Sequence, residues 1–152
     1  MSERPRITVA AVIERGGQFL LVEEDDDGRD LFNQPAGHLE LNESLVEACA
    51  REVLEESAWH FRPRELIGIY RWSKAASATS AGVTYLRFAF CGELGVHEDG
   101  RPLDAGIRRA VWLDAAEIRA SRERHRSPLV LRCMDDYLAG RRYPLDALIE
   151  YA

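Results

Sequence analysis

Between Glu43 and Ser57 the chain reads ESLVEACAREVLEES, and no other stretch restricts the fold as much. Its apolar residues recur at helical spacing. At roughly 100° per residue, Leu45, Val46, Ala48, Cys49, Ala50 and Val53 share one broad arc that must face a core. Ser44 followed by Glu47 offers a capping box, with Asn42 an equally good cap. Glu52 and Glu56, one turn apart, fall inside the apolar arc, whereas Glu47 and Arg51 lie on the opposite side. A carboxylate drawn partly out of water is costly unless it is paired or binds a cation. Like charges three and four residues apart on a helix also repel, so Glu52, Glu55 and Glu56 together call for a positive partner. Oxygen-only donors suit a hard ion such as Mg²⁺, which takes a few carboxylates and leaves other positions to water and substrate phosphates. Phosphate chemistry is the leading expectation.

The rest of the 152 residues predicts one α/β domain, 1–152, large enough to bury its own core. Ile7 to Arg15 and Gln18 to Glu24 read as strands joined at Gly16-Gly17, a two-residue hairpin signal. We read the acidic run Glu23 to Asp27 as a solvated loop and not a cation site. Pro35 and Gly37 in LFNQPAGHLE imply a sharp turn of the backbone. ELIGIYRW and GVTYLRFAFCGELG are long strands, joined by the small, polar, mobile loop SKAASATSA. AVWLD from Ala110 is a short strand, Asp114 caps AAEIRA, and a last helix runs from Ser127-Pro128 to Gly140. Strands and helices in this order predict an α/β sandwich about one mixed sheet.

A net charge of −6 opposes a long nucleic acid. The basic stretch RASRERHRSPL, even with Arg141-Arg142 added, is expected to be a solvated face, because no aromatic platform interleaves it. Cys49, Cys91 and Cys133 form no C-x-x-C pair and read as small buried hydrophobes of a reducing, cytoplasmic protein. No leader pattern and no membrane-length apolar run is visible.

Gly37, five residues, Glu43, seven residues and then Arg51-Glu52-Val53-x-Glu55-Glu56 resemble the box of the Nudix hydrolases. The pattern of that family continues with one residue, a glycine and an aliphatic residue, where this chain has Ser57, Ala58 and Trp59. The resemblance implies an α/β/α sandwich with a central mixed sheet and a loop–helix–loop box, acting on diphosphate-containing substrates with Mg²⁺ or Mn²⁺. It makes Glu52, Glu55, Glu56 and the backbone carbonyl of Gly37 the metal ligands, with Glu43 and Arg51 bracing the box. FNQPAGHLE, LRFAF, RSPLV and RRYPL further resemble the NudJ-like subgroup, although Phe32 stands where that subgroup usually has Trp. Those phosphatases are described as hydrolysing thiamine-pyrimidine diphosphate and nucleoside di- and triphosphates with release of phosphate.

The attacking water needs a base, and either Glu52 or Glu55 can serve. The resemblance also implies a further acid from the segment before the late strand, here PLDAGIRRAVW, where Asp104 is the best candidate, ahead of Glu98 and Asp99. For the organic half of the substrate, Arg71, Trp72 and Tyr85 offer an aromatic face and a guanidinium, while Arg87 and His38 are candidates for phosphate contacts. The runner-up activity is release of pyrophosphate from nucleoside triphosphates or RNA 5′ ends. A non-catalytic nucleotide-sensing module is the alternative from another class, and the partner expected is a small diphosphate-containing molecule, with the chain acting as a monomer or a homodimer.

Overall fold

The computed structural model describes residues 4–151. Among the described residues, nine strands and three α-helices follow in the order β1 (Arg6–Ala11), β2 (Glu14–Arg15), β3 (Gln18–Asp26), β4 (Arg29–Asn33), β5 (Ala36–His38), α1 (Leu45–Ser57), β6 (Trp59–Lys74), β7 (Val83–His97), β8 (Ile107–Asp114), α2 (Ala115–Ala120), α3 (Leu129–Leu138) and β9 (Tyr143–Pro144). The central sheet is mixed, in the order β5-β1-β7-β6-β9, with β1 and β7 parallel and the other neighbours antiparallel. A second, four-stranded sheet forms around β3, which pairs with β2, β4 and β8.

The opening hairpin is shallower than its sequence predicts. Gly16 and Gly17 both take positive φ, as a tight two-residue turn requires, yet only Glu14 and Arg15 pair back onto β3. At Val12 and Ile13 the chain changes sheets, so Ile7 to Ala11 pairs with β5 and β7 instead. The acidic run is likewise not a loop. Glu23 to Asp26 continue β3, and only Asp27 and Gly28 turn, both with positive φ. Arginines hold the run: Glu23 accepts from Arg109 and Arg124 at 2.7 Å each, Asp26 lies 3.4 Å from Arg126, and Asp30 bonds Arg108. Two arginines of the basic stretch, Arg124 and Arg126, are thus matched to the acidic one.

One buried cluster packs Val9, Ala11, Leu20 and Phe90 of the strands against Ala48, Cys49 and Val53 of α1. Another joins Phe19, Leu21, Ile67 and Ala89 to Ile118 of α2 and Cys133 and Met134 of α3. Successive residues of β3 and β7 alternate between the two, which puts α1 on one face of the strands and α2 and α3 on the other. This is the expected α/β/α sandwich. No helix among the described residues is long and apolar enough to cross a membrane.

Helix α1 begins as expected, with Ser44 accepting from Glu47 N–H and Glu47 accepting in return from Ser44 N–H. Asn42 is not the cap and turns in the left-handed region. Ala58 closes the helix at φ 63°, with its N–H on the Leu54 carbonyl. A Cβ there costs on the order of 1 kcal/mol relative to glycine, which bears on the family position this chain fills with alanine. Ala58→Gly is therefore expected to hold or raise stability, by up to about 1 kcal/mol, whereas Ala50→Gly inside the same helix lowers it by about 1 kcal/mol. Chemical denaturation of the two variants checks this, and a loss at position 58 matching that at position 50 refutes it.

Candidate active site

Helix α1 is rotated so that Glu52 and Glu56 are each only 8% exposed, while Glu55 is half-buried. Carboxylate oxygens of Glu52, Glu55 and Asp104 lie within 4.8 Å of one another. Asp104 comes from the loop before β8, and its backbone N–H donates to the Glu55 carbonyl at 3.0 Å. That bond ties a residue nearly fifty positions distant to the helix end. Glu98 and Asp99 stand apart, occupied by His60, Arg101 and His97.

Arg51 organises the cluster. Its Nε and Nη2 grip both oxygens of Glu43 at 2.9 and 2.8 Å, Nη1 reaches Glu52 at 2.8 Å and Glu55 at 3.1 Å, and Nη2 also donates to the His38 carbonyl at 3.1 Å. One planar fork thus connects the loop after β5 with the acids of the helix. Glu43 is held below the usual carboxylate range chiefly by this contact. Burial acts oppositely on the others, pushing Glu52 up to about 7 despite Arg51 and also raising Glu55.

Glu56 lies outside the close three-carboxylate group, because its Oε1 accepts from Ala36 N–H at 2.9 Å and is thereby drawn toward β5. Burial, reinforced by Glu24, Glu52 and Asp104, pushes it up to about 9. Gly37, on β5 opposite Val9, leaves room for the cluster: a Cβ built there would stand 2.2–2.4 Å from the carboxylate atoms of Glu52. The donor set is all oxygen, partly buried and rich in negative charge. It fits a small hard divalent cation, with Glu52, Glu55 and Asp104 as the closest donors.

Beside Gly37 a groove opens over the central sheet. It is lined by His38, Trp72, Tyr85 and Arg87 together with Thr8, Lys74 and Arg126. Trp72 and Tyr85 are a cross-strand pair whose rings stack 5.7 Å apart at 14°. Arg71 does not belong to this surface, because strand alternation turns it to the opposite side from Trp72, where it is exposed. Arg87 is 6% exposed and forms part of the groove wall, not an exposed strand arginine.

Glu24 is the acid that sequence reading passed over. It too lines the groove, accepts from Asn33 Nδ2 at 3.3 Å, and burial raises its pKa despite Arg126. The available signal was the alternation available to EEDD once β3 is extended: Glu23 turns to Arg109 and Arg124, and its neighbour Glu24 to the groove.

A NUDIX domain model matches residues 3–133. The chain is 40% identical over 148 residues to Phosphatase NudJ of Escherichia coli K12 and to that of Shigella flexneri, a match spanning 97% of this chain and 93% of each relative. Its structure is similar to a NUDIX hydrolase from Nitrosomonas europaea, with TM-score 0.92 and 52% identity over 97% of this chain and 98% of the other. A MutT NUDIX hydrolase from Burkholderia pseudomallei, at 16% identity and TM-score 0.71, covers 88% of this chain and 98% of its own and shares the fold. With the box helix, its acid cluster and these relatives in agreement, the chain belongs to the Nudix hydrolase family of enzymes.

Proposed function

We propose that the protein hydrolyses a phosphoanhydride bond in nucleoside di- or triphosphates or thiamine-pyrimidine diphosphate, with Mg²⁺ as cofactor and inorganic phosphate as product. The observation that carries this reading is the convergence of Glu52, Glu55 and Asp104 within 4.8 Å, at the Gly37 end of a groove with an aromatic wall. The phosphatase name of the Escherichia coli relative supports release of phosphate.

When bound, a divalent cation supplies positive charge that offsets the charge developing on phosphate oxygens and makes water more acidic. Glu52, Glu55 and Asp104 would hold it, with Glu56 and the Gly37 carbonyl as further donors. Arg51, anchored on Glu43, holds Glu52 and Glu55 together and oriented. Water attacking phosphorus in line gives its proton to a carboxylate, and Glu52 and Glu55 are the candidates to accept it. Trp72 and Tyr85 present the face for a ring, and His38 closes the phosphate end.

Three outcomes test this reading. The first is an assay of purified protein with Mg²⁺ on nucleoside di- and triphosphates and thiamine-pyrimidine diphosphate, reading phosphate and pyrophosphate separately. Phosphate is expected, and Glu52→Gln and Glu56→Gln are each expected to cut turnover at least about 100-fold, since loss of outer partners alone costs 10- to 100-fold. Pyrophosphate as the product would shift the assignment to the runner-up, and turnover unchanged in both variants would sink the metal assignment.

Gly37→Ala is a second handle. Its methyl occupies the place of the Glu52 carboxylate, so turnover should fall on the same scale while circular dichroism stays native. Wild-type activity in that variant would contradict the placement of Glu52.

The third outcome concerns pH. Burial pushes Glu52 and Glu56 up to about 7 and 9 in the folded, metal-free protein, from the ordinary glutamate value of 4.5. The folded state binds more protons than the unfolded one between those limits, so this contribution is complete below about pH 4.5 and fades as pH rises through 7 and 9. A cation needs the ionised forms, so the rise in melting temperature produced by Mg²⁺ over EDTA should grow steadily with pH across that window. A Mg²⁺ increment that is flat or falling with pH rejects the assignment.

A further inference from the structure

Arg87 has a chemical environment unusual for a buried arginine. Such residues ordinarily meet a carboxylate, because an uncompensated charge out of water is costly. Here the partners are neutral: Nη1 donates to Gln34 Oε1 at 3.0 Å and to Cys133 Sγ at 3.8 Å, and Nη2 donates to Asn33 Oδ1 at 3.0 Å. Among the described residues no carboxylate stands at ion-pair distance from it. Glu24 on the same wall feels its charge, yet that carboxylate is bonded by Asn33 and lies 3.7 Å from Arg126.

The amides aim the guanidinium without neutralising it. Gln34 is itself fixed, its Nε2 donating to the Val130 carbonyl at 2.8 Å, and Asn33 is held between Arg87 and Glu24. The stretches FNQ and LR, separated by more than fifty residues in sequence, therefore form one hydrogen-bonded unit in the groove wall.

Strand register places this unit relative to the acids. His38 on β5 pairs with Thr8 on β1, and Thr8 pairs with Arg87 on β7, so Arg87 is two strands, about 10 Å of backbone, from the β5 edge where Gly37 meets Glu52. Tyr85, two residues earlier on β7, continues the same face into the aromatic pair with Trp72. Carboxylates, guanidinium and rings thus follow one another along the groove.

We propose that Arg87, oriented by Asn33 and Gln34, anchors the phosphate that remains on the organic product. The substrate class is then a ring-bearing monophosphate extended by the phosphate that is cleaved. This rests on the hydrolytic reading above for the identity of the cleaved group, but not for the anion site itself. A guanidinium bonded only to neutral acceptors keeps its charge and further N–H donors for an incoming phosphate, and charge-assisted bonds of this kind are the strong ones.

The test is isothermal titration calorimetry in EDTA with adenosine 5′-monophosphate against adenosine, and cytidine 5′-monophosphate against cytidine. Wild type is expected to prefer the monophosphate of at least one pair by about 10- to 100-fold. Arg87→Gln should lose that preference while nucleoside affinity stays, and Arg87→Lys should recover part of it. Should Arg87→Gln fail to fold, Glu24→Gln gives the opposite sign, since removing a competing negative charge tightens the monophosphate and not the nucleoside. No preference in wild type, a full preference in folded Arg87→Gln, or an unmoved Glu24→Gln overturns the anchor. Because no metal is present, the two readings fail separately: a missing preference with Glu52→Gln inactive removes only the anchor, and a persistent preference with Glu52→Gln fully active removes only the hydrolytic assignment.

Discussion

The guanidinium of Arg51 lies between Glu43, Glu52 and Glu55, and the box helix could not present its acids together without it. Glu52, Glu55 and Glu56 stand on two successive turns, where like charges repel, and two of them are largely out of water. Arg51 offsets part of this at Glu52 and Glu55, while Glu56 relies on the Ala36 N–H. The compensation is partial, since burial still raises all three acids. A cluster balanced in this way is poised for a further positive charge, the electrostatic condition a cation site requires. The same guanidinium bonds the His38 carbonyl, so the loop carrying Gly37 and the helix carrying Glu52 are positioned by a common group.

How much of this was visible beforehand depended on how local the physics is. Helix α1, its capping box and the inward turn of Glu52 and Glu56 follow from a 3.6-residue period within fifteen positions, and the structure bears them out. Asp114 as the cap of α2 is equally local. The change of sheet at Val12-Ile13 was not, because β7, the parallel partner that takes β1 into the central sheet, lies more than sixty residues away. Glu23 to Asp26 misled for a related reason: four acids in a row read as solvated unless β8 is known to pair beside them and Arg109, Arg124 and Arg126 to neutralise them. Asp104 was found through resemblance, and its arrival at the cluster depends on a backbone bond to Glu55 that no pattern announces. Arg71 is turned away from the groove by the simplest rule of strands, since a neighbour of Trp72 must face the other way.

Trp72, Tyr85, Arg87 and His38 were singled out by residue type on strands whose register was unknown. The register makes a surface of them. Trp72 opposes Tyr85, Thr8 opposes both Arg87 and His38, and all line the one groove. Phe32, at the position where a larger ring was expected, packs beneath the Arg124 guanidinium at 4.3 Å and bears on the groove only through the strand it shares with Asn33.

On the proposed reading the groove has two electrical ends, and their difference orders the binding events. At the Gly37 end, the acid cluster around Glu52 opposes a phosphate until a cation intervenes, whereas Arg87, Lys74 and Arg126 line the groove with charge that attracts one without it. A diphosphate entering the metal-free site is therefore drawn in by one end and opposed at the other. Cation binding removes the opposition and at the same time ionises Glu52 and Glu56, so cation and substrate must each raise the affinity for the other by the same factor. A product bearing one phosphate can remain at the basic end after the cleaved phosphate leaves the acidic one, and the separation of the two ends thus bears on product release as well as on recognition.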